Sequence, residues 1–286
     1  MLMPEMLSPR CAIGWLALMS LGIGCSSQTV EAVSGGCDPA NCAGSGGAAG
    51  SPNSDRVRPI HRYSFDANDG AQAIDSIGQA TGTLVGAEFG VDENGGGAVQ
   101  MAGETSGQYV DLPSHLVTGL RDATFESWCT WQGIGGPWQR IFDFGEDETG
   151  VEDSRSTSPR SYLFLAVRPN PRAAFKRPPT VNPEIGVNGS SSMPVGVLTH
   201  LAVVIDETNQ RMLLYVNGRE EDSTKFDASL TEIYDVTFWL GRSLYRADAD
   251  FAGSLSEFRI YDRALTTAQV LASYGAGADA LPQSAN

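Results

Sequence analysis

The stretch L-T-H-L-A-V-V-I-D-E-T-N-Q-R-M-L-L-Y-V-N-G-R, residues 198–219, reads as extended chain turning back on itself. Val216-Asn217-Gly218-Arg219 is a strand end, an Asn-Gly turn and a strand restart. An Asn-Gly pair between apolar runs is the strongest short-range hairpin signal, because both residues tolerate positive φ. Working outward, similar short runs recur on both sides, separated by Gly, Asn, Asp and Pro clusters. Upstream lie I-H-R-Y-S-F (60–65), T-G-T-L-V (81–85), A-V-Q-M (98–101), Q-Y-V-D-L (108–112) and T-F-E-S-W-C-T-W (124–131). W-Q-R-I-F-D-F (138–144) and S-Y-L-F-L-A-V (161–167) follow, and T-F-W-L (237–240) and G-S-L-S-E-F-R-I-Y (253–261) lie downstream.

About a dozen short strands without helices between them imply an antiparallel all-β fold, since parallel strands need crossover helices. In 124–131 the period of two puts Phe125, Ser127, Cys129 and Trp131 on one side and Glu126 and Trp128 on the other. Aromatics on both sides suit a strand whose outer face is partly covered, and Trp128 is expected in the core. One helix is expected near the end: Thr266 with Gln269 makes a capping box, and Val270, Leu271 and Tyr274 supply an apolar stripe. A unit of this length and texture suits a two-sheet antiparallel sandwich of jelly-roll type.

The chain has 286 residues, with 19 Lys+Arg against 34 Asp+Glu and a formal net charge of −15. That balance excludes nucleic acid, whose binding draws on clustered Lys and Arg, and charge-driven docking on an anionic membrane. An apolar share of 41% is enough for a core.

The amino-terminal residues read as an address. Cys11 to Gly24 form an uncharged run behind Arg10. The run is shorter than the roughly 20 residues a membrane helix needs and fits a signal-peptide core over residues 1–24. It ends G-I-G-C-S-S, which resembles a bacterial lipobox with Cys25 as the lipidated residue. Leu21 stands four residues before that Cys and not three, and ordinary secretory cleavage uses the same small residues. Residues 25–55 form a Gly/Ser/Ala-rich linker with nothing to bury. Within it Cys37 and Cys42 are expected to close a small disulfide loop in an oxidising compartment; half of a metal site is the rival reading. Cys129 reads as a buried free thiol. Residues 56–276 would then be the β domain and 277–286 a disordered tail.

An ordered set of strings in that domain resembles a known family. Y-S-F-D (63–66), D-S-I-G (75–78), Q-Y-V-D-L-P (108–113), T-F-E-S-W (124–128), R-I-F-D-F-G (140–145), H-L-A-V-V-I-D (200–206), L-Y-V-N-G (214–218), W-L-G-R-S (239–243) and F-A-G-S-L-S-E-F-R-I-Y-D-R-A-L (251–265) occur in that order. Together they are similar to the laminin-G-like (concanavalin A-like) jelly-roll domain of bacterial surface and secreted proteins. The resemblance implies a curved sandwich whose first and last strands are neighbours. It implies binding of carbohydrate or protein more often than catalysis, with a calcium ion near the rim in some members.

The same fold hosts glycoside hydrolases, which need a pair of carboxylates about 5 Å apart when they retain configuration. No E-x-D-x-x-E strand is present, and Glu146-Asp147-Glu148 and Glu220-Glu221-Asp222 read as turns. No G-x-S-x-G, H-E-x-x-H or P-loop string appears. His200 opens a strand and suggests packing or a backbone hydrogen bond. Asp66 and Asp75, flanking the first strand-to-loop transition, are the candidate Ca²⁺ ligands, with the acidic stretch Asp143–Asp153 as an alternative calcium loop. Arg168–Arg177 reads as a basic exposed loop, and Trp138, Trp239 and Tyr245 as candidates for stacking on sugar rings.

The expectation is therefore an exported, lipid-anchored, non-catalytic binding module. Its partners would be a glycan or an extracellular surface protein, with lipid in a bacterial membrane. The alternatives are a glycan-active hydrolase on the same fold and a structural envelope protein.

Overall fold

The computed structural model describes residues 57–66, 70–178 and 184–282. The expected signal segment and linker, with Cys25, Cys37 and Cys42, lie outside the described residues.

The chain opens with β1 (His61–Tyr63), β2 (Gln72–Ala73), β3 (Gly82–Val85), β4 (Glu88–Val91) and β5 (Gly97–Glu104). Then come β6 (Tyr109–Leu112), β7 (Ala123–Trp131), β8 (Gln139–Glu146), β9 (Ser161–Arg168), β10 (Asn170–Lys176) and β11 (Ile185–Asn188). The rest is β12 (Leu198–Asp206), β13 (Arg211–Val216), β14 (Arg219–Lys225), β15 (Thr237–Leu240), β16 (Asp250–Tyr261) and the helix α1 (Thr267–Ala276).

These strands form two eight-stranded antiparallel sheets. Sheet A runs β14-β13-β12-β7-β16-β5-β4, with β1 also on β16, and sheet B runs β11-β10-β9-β8-β15-β6-β3-β2. The pairing His61↔Ile260 joins the first strand to the last, as the resemblance implied. The expected jelly-roll sandwich and its single late helix are both present.

Period-2 alternation sorts each central strand into two faces. On β12, Leu201, Val203 and Ile205 enter the core between the sheets, and Ala202 and Val204 pack outward beside Tyr261 and Val270 of α1. On β9, Leu163, Leu165 and Val167 face inward, and Tyr162, Phe164 and Ala166 join a second apolar layer on the outside of sheet B. Each sheet is thus buried partly on both faces, which is why its strands read as near-continuous apolar runs. The Asn217-Gly218 turn has φ of 49° and 75°, the geometry the dipeptide demands.

The helix is capped as expected, with Thr266 and Gln269 exchanging side-chain and backbone bonds. Its buried face differs from the expected stripe. Val270 and Ser273 are buried, whereas Leu271 and Tyr274 are substantially exposed and cover the Asn-Gly turn. Beneath the helix a polar cluster replaces apolar packing. The buried Glu126 carboxylate accepts from Tyr261 Oη at 2.8 Å and Ser273 Oγ at 2.7 Å, and His200 Nε2 lies 3.2 Å away. His200 is therefore a packed, hydrogen-bonded core residue, as its place in the strand suggested.

Several sequence expectations need correction. Glu220–Asp222 lies in strand β14 and Glu146 ends β8, so neither triplet is wholly a turn. Arg168–Arg177 is mostly strand β10, where Arg172 pairs with Glu184 at 2.8 Å. The first residues of the expected tail are anchored: Arg259 donates to the carbonyls of Gly277, Ala278 and Ala280 at 3.1, 2.6 and 3.0 Å.

Candidate functional site

The candidate calcium ligands do not form a cation site. Asp75 Oδ1 accepts the backbone N–H groups of Arg62, Ile77 and Gly78, and Oδ2 accepts Ala80 N–H and faces His61 Nδ1 at 2.7 Å. Those bonds hold its carboxyl well below the usual carboxylate range against the cost of burial. A carboxylate that saturated has no lone pair for Ca²⁺, and Asp66 instead accepts Gly97 N–H at 3.1 Å. The acidic stretch is likewise self-satisfied, since Asp147 caps its own turn through Thr149 and Gly150. Among the described residues no three His, Cys, Asp or Glu side chains converge as metal ligands.

The outer face of sheet B offers a different site. A register shift between Arg140 and Phe142 puts a β-bulge in β8. The bulge turns both Ile141 and Phe142 into the core and leaves Arg140 and Asp143 together on the outside. Arg140 is almost fully buried there. Its Nε donates to Asp143 Oδ2 at 3.0 Å, its Nη1 to the Trp138 carbonyl at 2.8 Å, and its Nη2 lies 2.9 Å from Asp248 Oδ2. Its guanidinium also lies over the Phe164 ring at 3.9 Å. Asp143 further accepts Leu244 N–H at 3.0 Å. Burial still pushes its carboxyl up to about 6, the Arg140 charge opposing that rise.

Aromatic rings stand around this charged floor. Trp138 carries a φ of 70°, a left-handed conformation that is costly for a bulky aromatic residue. Its partly exposed ring meets Phe164 edge-on at 6.3 Å. Tyr245 is half-exposed, lies 5.8 Å from the Tyr162 ring, and shares a hydroxyl contact of 3.1 Å with it. Tyr162 also donates to Glu184, and burial together with that carboxylate raises its phenol. Trp138, Arg140, Phe164, Glu184, Tyr245 and Asp248 enclose a cavity of ≈ 240 Å³. Trp138 and Asp248 also wall a neighbouring cavity of ≈ 550 Å³ that contains Arg155, Arg242 and Arg246. Sharing those two walls, they make a groove whose smaller arm lies on the outside of sheet B and whose larger arm lies among the adjoining loops.

Two of the three aromatics expected at a sugar surface therefore meet in this groove. The third does not. Trp239 is fully buried, donates from Nε1 to Asp153 at 3.2 Å and packs edge-on against Tyr109 at 5.6 Å. Trp128 is buried as expected, but on the outer side of sheet A, beneath the Arg259 guanidinium at 4.4 Å. Sequence reading missed Phe164, Glu184 and Asp248 as site residues, and it missed Arg140 and Asp143 as a pair. Their only signal was the R-I-F-D-F-G string itself.

With this geometry in view, the family model described as concanavalin A-like lectin/glucanases superfamily matches residues 103–271, more than half of the chain. The chain belongs to this superfamily. Among curated proteins no match is found. Solved structures that share the superfamily fold with it include domain 4 of AbnA, a GH43 extracellular arabinanase from Geobacillus stearothermophilus, in complex with arabinotriose. That likeness has a TM-score of 0.57 at 23% identity and covers 76% of this chain and 98% of the other. The CBM40 of the Ruminococcus gnavus IT-sialidase, bound to α2,3 sialyllactose, aligns with TM-score 0.52 at 14% identity, covering 62% and 96%. The botulinum neurotoxin serotype D binding domain aligns with TM-score 0.55 at 12% identity, covering 78% and 52%. At such identities these likenesses bear on the fold.

Proposed function

We propose that the protein is a non-catalytic glycan-binding module whose site is the groove on the outside of sheet B. One observation carries this reading: Trp138 is held in a strained backbone conformation and lines one cavity with Tyr245, beside the Arg140–Asp143–Asp248 cluster. Partly exposed rings give a sugar a flat apolar face, and the fixed guanidinium and carboxylates beside them give its hydroxyls directional partners. Strain that persists at such a place is characteristic of ligand clamps. Superfamily neighbours whose structures hold arabinotriose and sialyllactose support the same class of ligand.

The hydrolase reading draws less support from the groove. Asp143 is locked under Arg140 and Leu244, and Asp248 is spent on Arg140 and the Ser243 hydroxyl at 2.8 Å. A carboxylate as buried as Asp143 cannot reach a glycosidic bond, and one paired with a guanidinium, as Asp248 is, makes a weak nucleophile. The module would be exported and carried on a lipid at Cys25, a reading that rests on the uncharged run 11–24, the G-I-G-C-S-S string and the linker behind it. Mass analysis of the mature amino-terminal peptide should show a lipidated Cys25; an unmodified terminus would refute the anchor and leave the binding reading intact. For binding, the full chain is to be screened on a glycan panel that includes arabinotriose and α2,3-sialyllactose. Saturable binding is expected, and a blank panel would overturn the proposal.

A further inference from the structure

The larger arm of the groove carries a concentration of arginines that the acidic chain does not need for balance. Arg155, Arg242 and Arg246 line one cavity of ≈ 550 Å³, in a protein of formal net charge −15. Among the described residues, Arg242 and Arg246 have no ion pair. Arg242 is held by aromatic faces instead, 4.3 Å from the Tyr109 centroid and 4.7 Å from that of Trp239, and its Nε is buried without a hydrogen-bond partner. Stacking of this kind fixes the plane of the fork and leaves its edge for a ligand.

Arg155 is pinned differently, through Nη2 to the carbonyls of Tyr245 at 2.9 Å and Asp248 at 3.1 Å. Its nearest carboxylate oxygen, Asp250 Oδ1, is 4.0 Å away, and its Nε is buried without a partner. Arg246 donates from Nη2 to the Arg155 backbone carbonyl at 2.8 Å, which ties the third arginine to the segment that carries the first. Asp248 Oδ2 serves Arg140, and Asp250 Oδ2 accepts Gly107 N–H at 2.9 Å while its Oδ1 is buried without a hydrogen-bond partner on the Arg155 side; Glu104 stands exposed at the rim. Burial and then the Arg242 charge lower the basicity of Arg155, against the opposing pull of Asp250, Asp248 and Asp143.

We propose that Arg155, Arg242 and Arg246 are a carboxylate-reading subsite, and that the glycan bound in this groove is a carboxylated one. The proposal rests on the glycan reading of the same groove and adds the ligand's charge class. A planar carboxylate meets a fixed guanidinium fork through two parallel N–H···O bonds, and the sugar ring that carries it would extend from the arginines toward Trp138 and Tyr245.

The test uses matched pairs on the full chain by titration calorimetry: oligogalacturonate against galacto-oligosaccharide, and sialyllactose against lactose. At least one carboxylated member is expected to bind ten-fold or more tighter than its neutral partner, with affinity falling as salt rises. Arg246→Gln, at an exposed position, and Arg242→Gln should each move that ratio toward one. Circular dichroism of both variants keeps a folding defect apart from a binding one. A ratio near one in the native chain, or a ratio that both variants leave unchanged, overturns the subsite. Tighter binding of a sulfated glycan than of any carboxylated one overturns the carboxylate assignment. Neutral glycans bound equally well through Trp138 would leave the groove standing without this inference, and no binding of either kind would remove both.

Discussion

Arg140 and Asp143 stand three residues apart on one strand and still meet on the same face of the sheet, Nε to Oδ2 at 3.0 Å. A regular strand would send an odd-numbered spacing to opposite faces. The bulge at Ile141 makes the pair possible, and the pair in turn holds Arg140 in the wall of the groove. The site thus depends on a local defect in strand pairing, a common way of aiming side chains at a binding surface.

Breaking that pair should be felt in stability as well as binding. In Arg140→Met the buried Asp143 and the Asp248 carboxylate both lose their cation. Leaving one half of a buried pair costs about 3–5 kcal/mol. Chemical denaturation should show a loss of that size, and the milder Asp143→Asn should lose less. Equal stability in Arg140→Met and the native chain would contradict the role given to the pair.

Asp235 predicts a pH effect with a definite sign. It is buried, accepts Val117 N–H at 2.7 Å, and burial pushes its carboxyl up to about 6 from an ordinary 3.8. The folded state therefore holds this proton more tightly than the unfolded chain. Its contribution to stability is fully present below about pH 4 and declines as pH rises through about 6. At 1.36 kcal/mol per pKa unit the span is up to about 3 kcal/mol. Asp235→Asn should remove that decline, so the difference in unfolding free energy between variant and native chain should grow between pH 4 and 7. A difference that stays flat with pH would refute it.

Two glycines should respond in opposite directions to alanine. At Gly253, φ is 157° and a Cβ would sit 2.0 Å from the Thr130 carbonyl oxygen of the neighbouring strand. Gly253→Ala should therefore destabilise by several kcal/mol or prevent folding. At Gly275, inside α1, a Cβ would meet nothing within 4 Å. There alanine should stabilise by roughly 0.5–1 kcal/mol. Melting temperatures of the two variants check both statements.

Glu126 should behave as the centre of the cluster under the helix. Glu126→Ala leaves Tyr261 Oη and Ser273 Oγ without their acceptor and His200 Nε2 without its partner, all in a buried setting. A loss of about 3 kcal/mol or more is expected from orphaned buried groups. Hydrogen exchange should show α1 opening more readily. Unchanged protection of the helix would mean that the cluster does not hold it down.

Much of the fold was legible because its rules are local. The Asn217-Gly218 dipeptide specified a turn that only residues tolerant of positive φ can make, and Thr266 with Gln269 specified a helix start. Alternation along β7 correctly separated Phe125 and Cys129, which face the core between the sheets, from Glu126 and Trp128, which do not. The site was less legible because it depends on non-local facts. Trp138 and Tyr245 drew notice as aromatics, yet Trp239 looked equally suitable and is buried under Asp153. Nothing in a linear string marks the bulge that brings Arg140 and Asp143 together. Asp75 has the composition of a metal ligand, and only the fold shows that five N–H groups already surround it. Arg155, Arg242 and Arg246 are scattered in sequence and converge only when sheet B and the loop before β16 are assembled.

The central claim is that sugar binds on the outside of sheet B against Trp138. Its most direct measurement is a calorimetric titration of native chain and Trp138→Ala with a glycan that binds the native chain, both proteins shown to be folded by circular dichroism. Removing a stacked aromatic should weaken binding by about 1–3 kcal/mol, roughly five- to 150-fold, without lowering the melting temperature. Equal affinity of Trp138→Ala and the native chain would contradict the account.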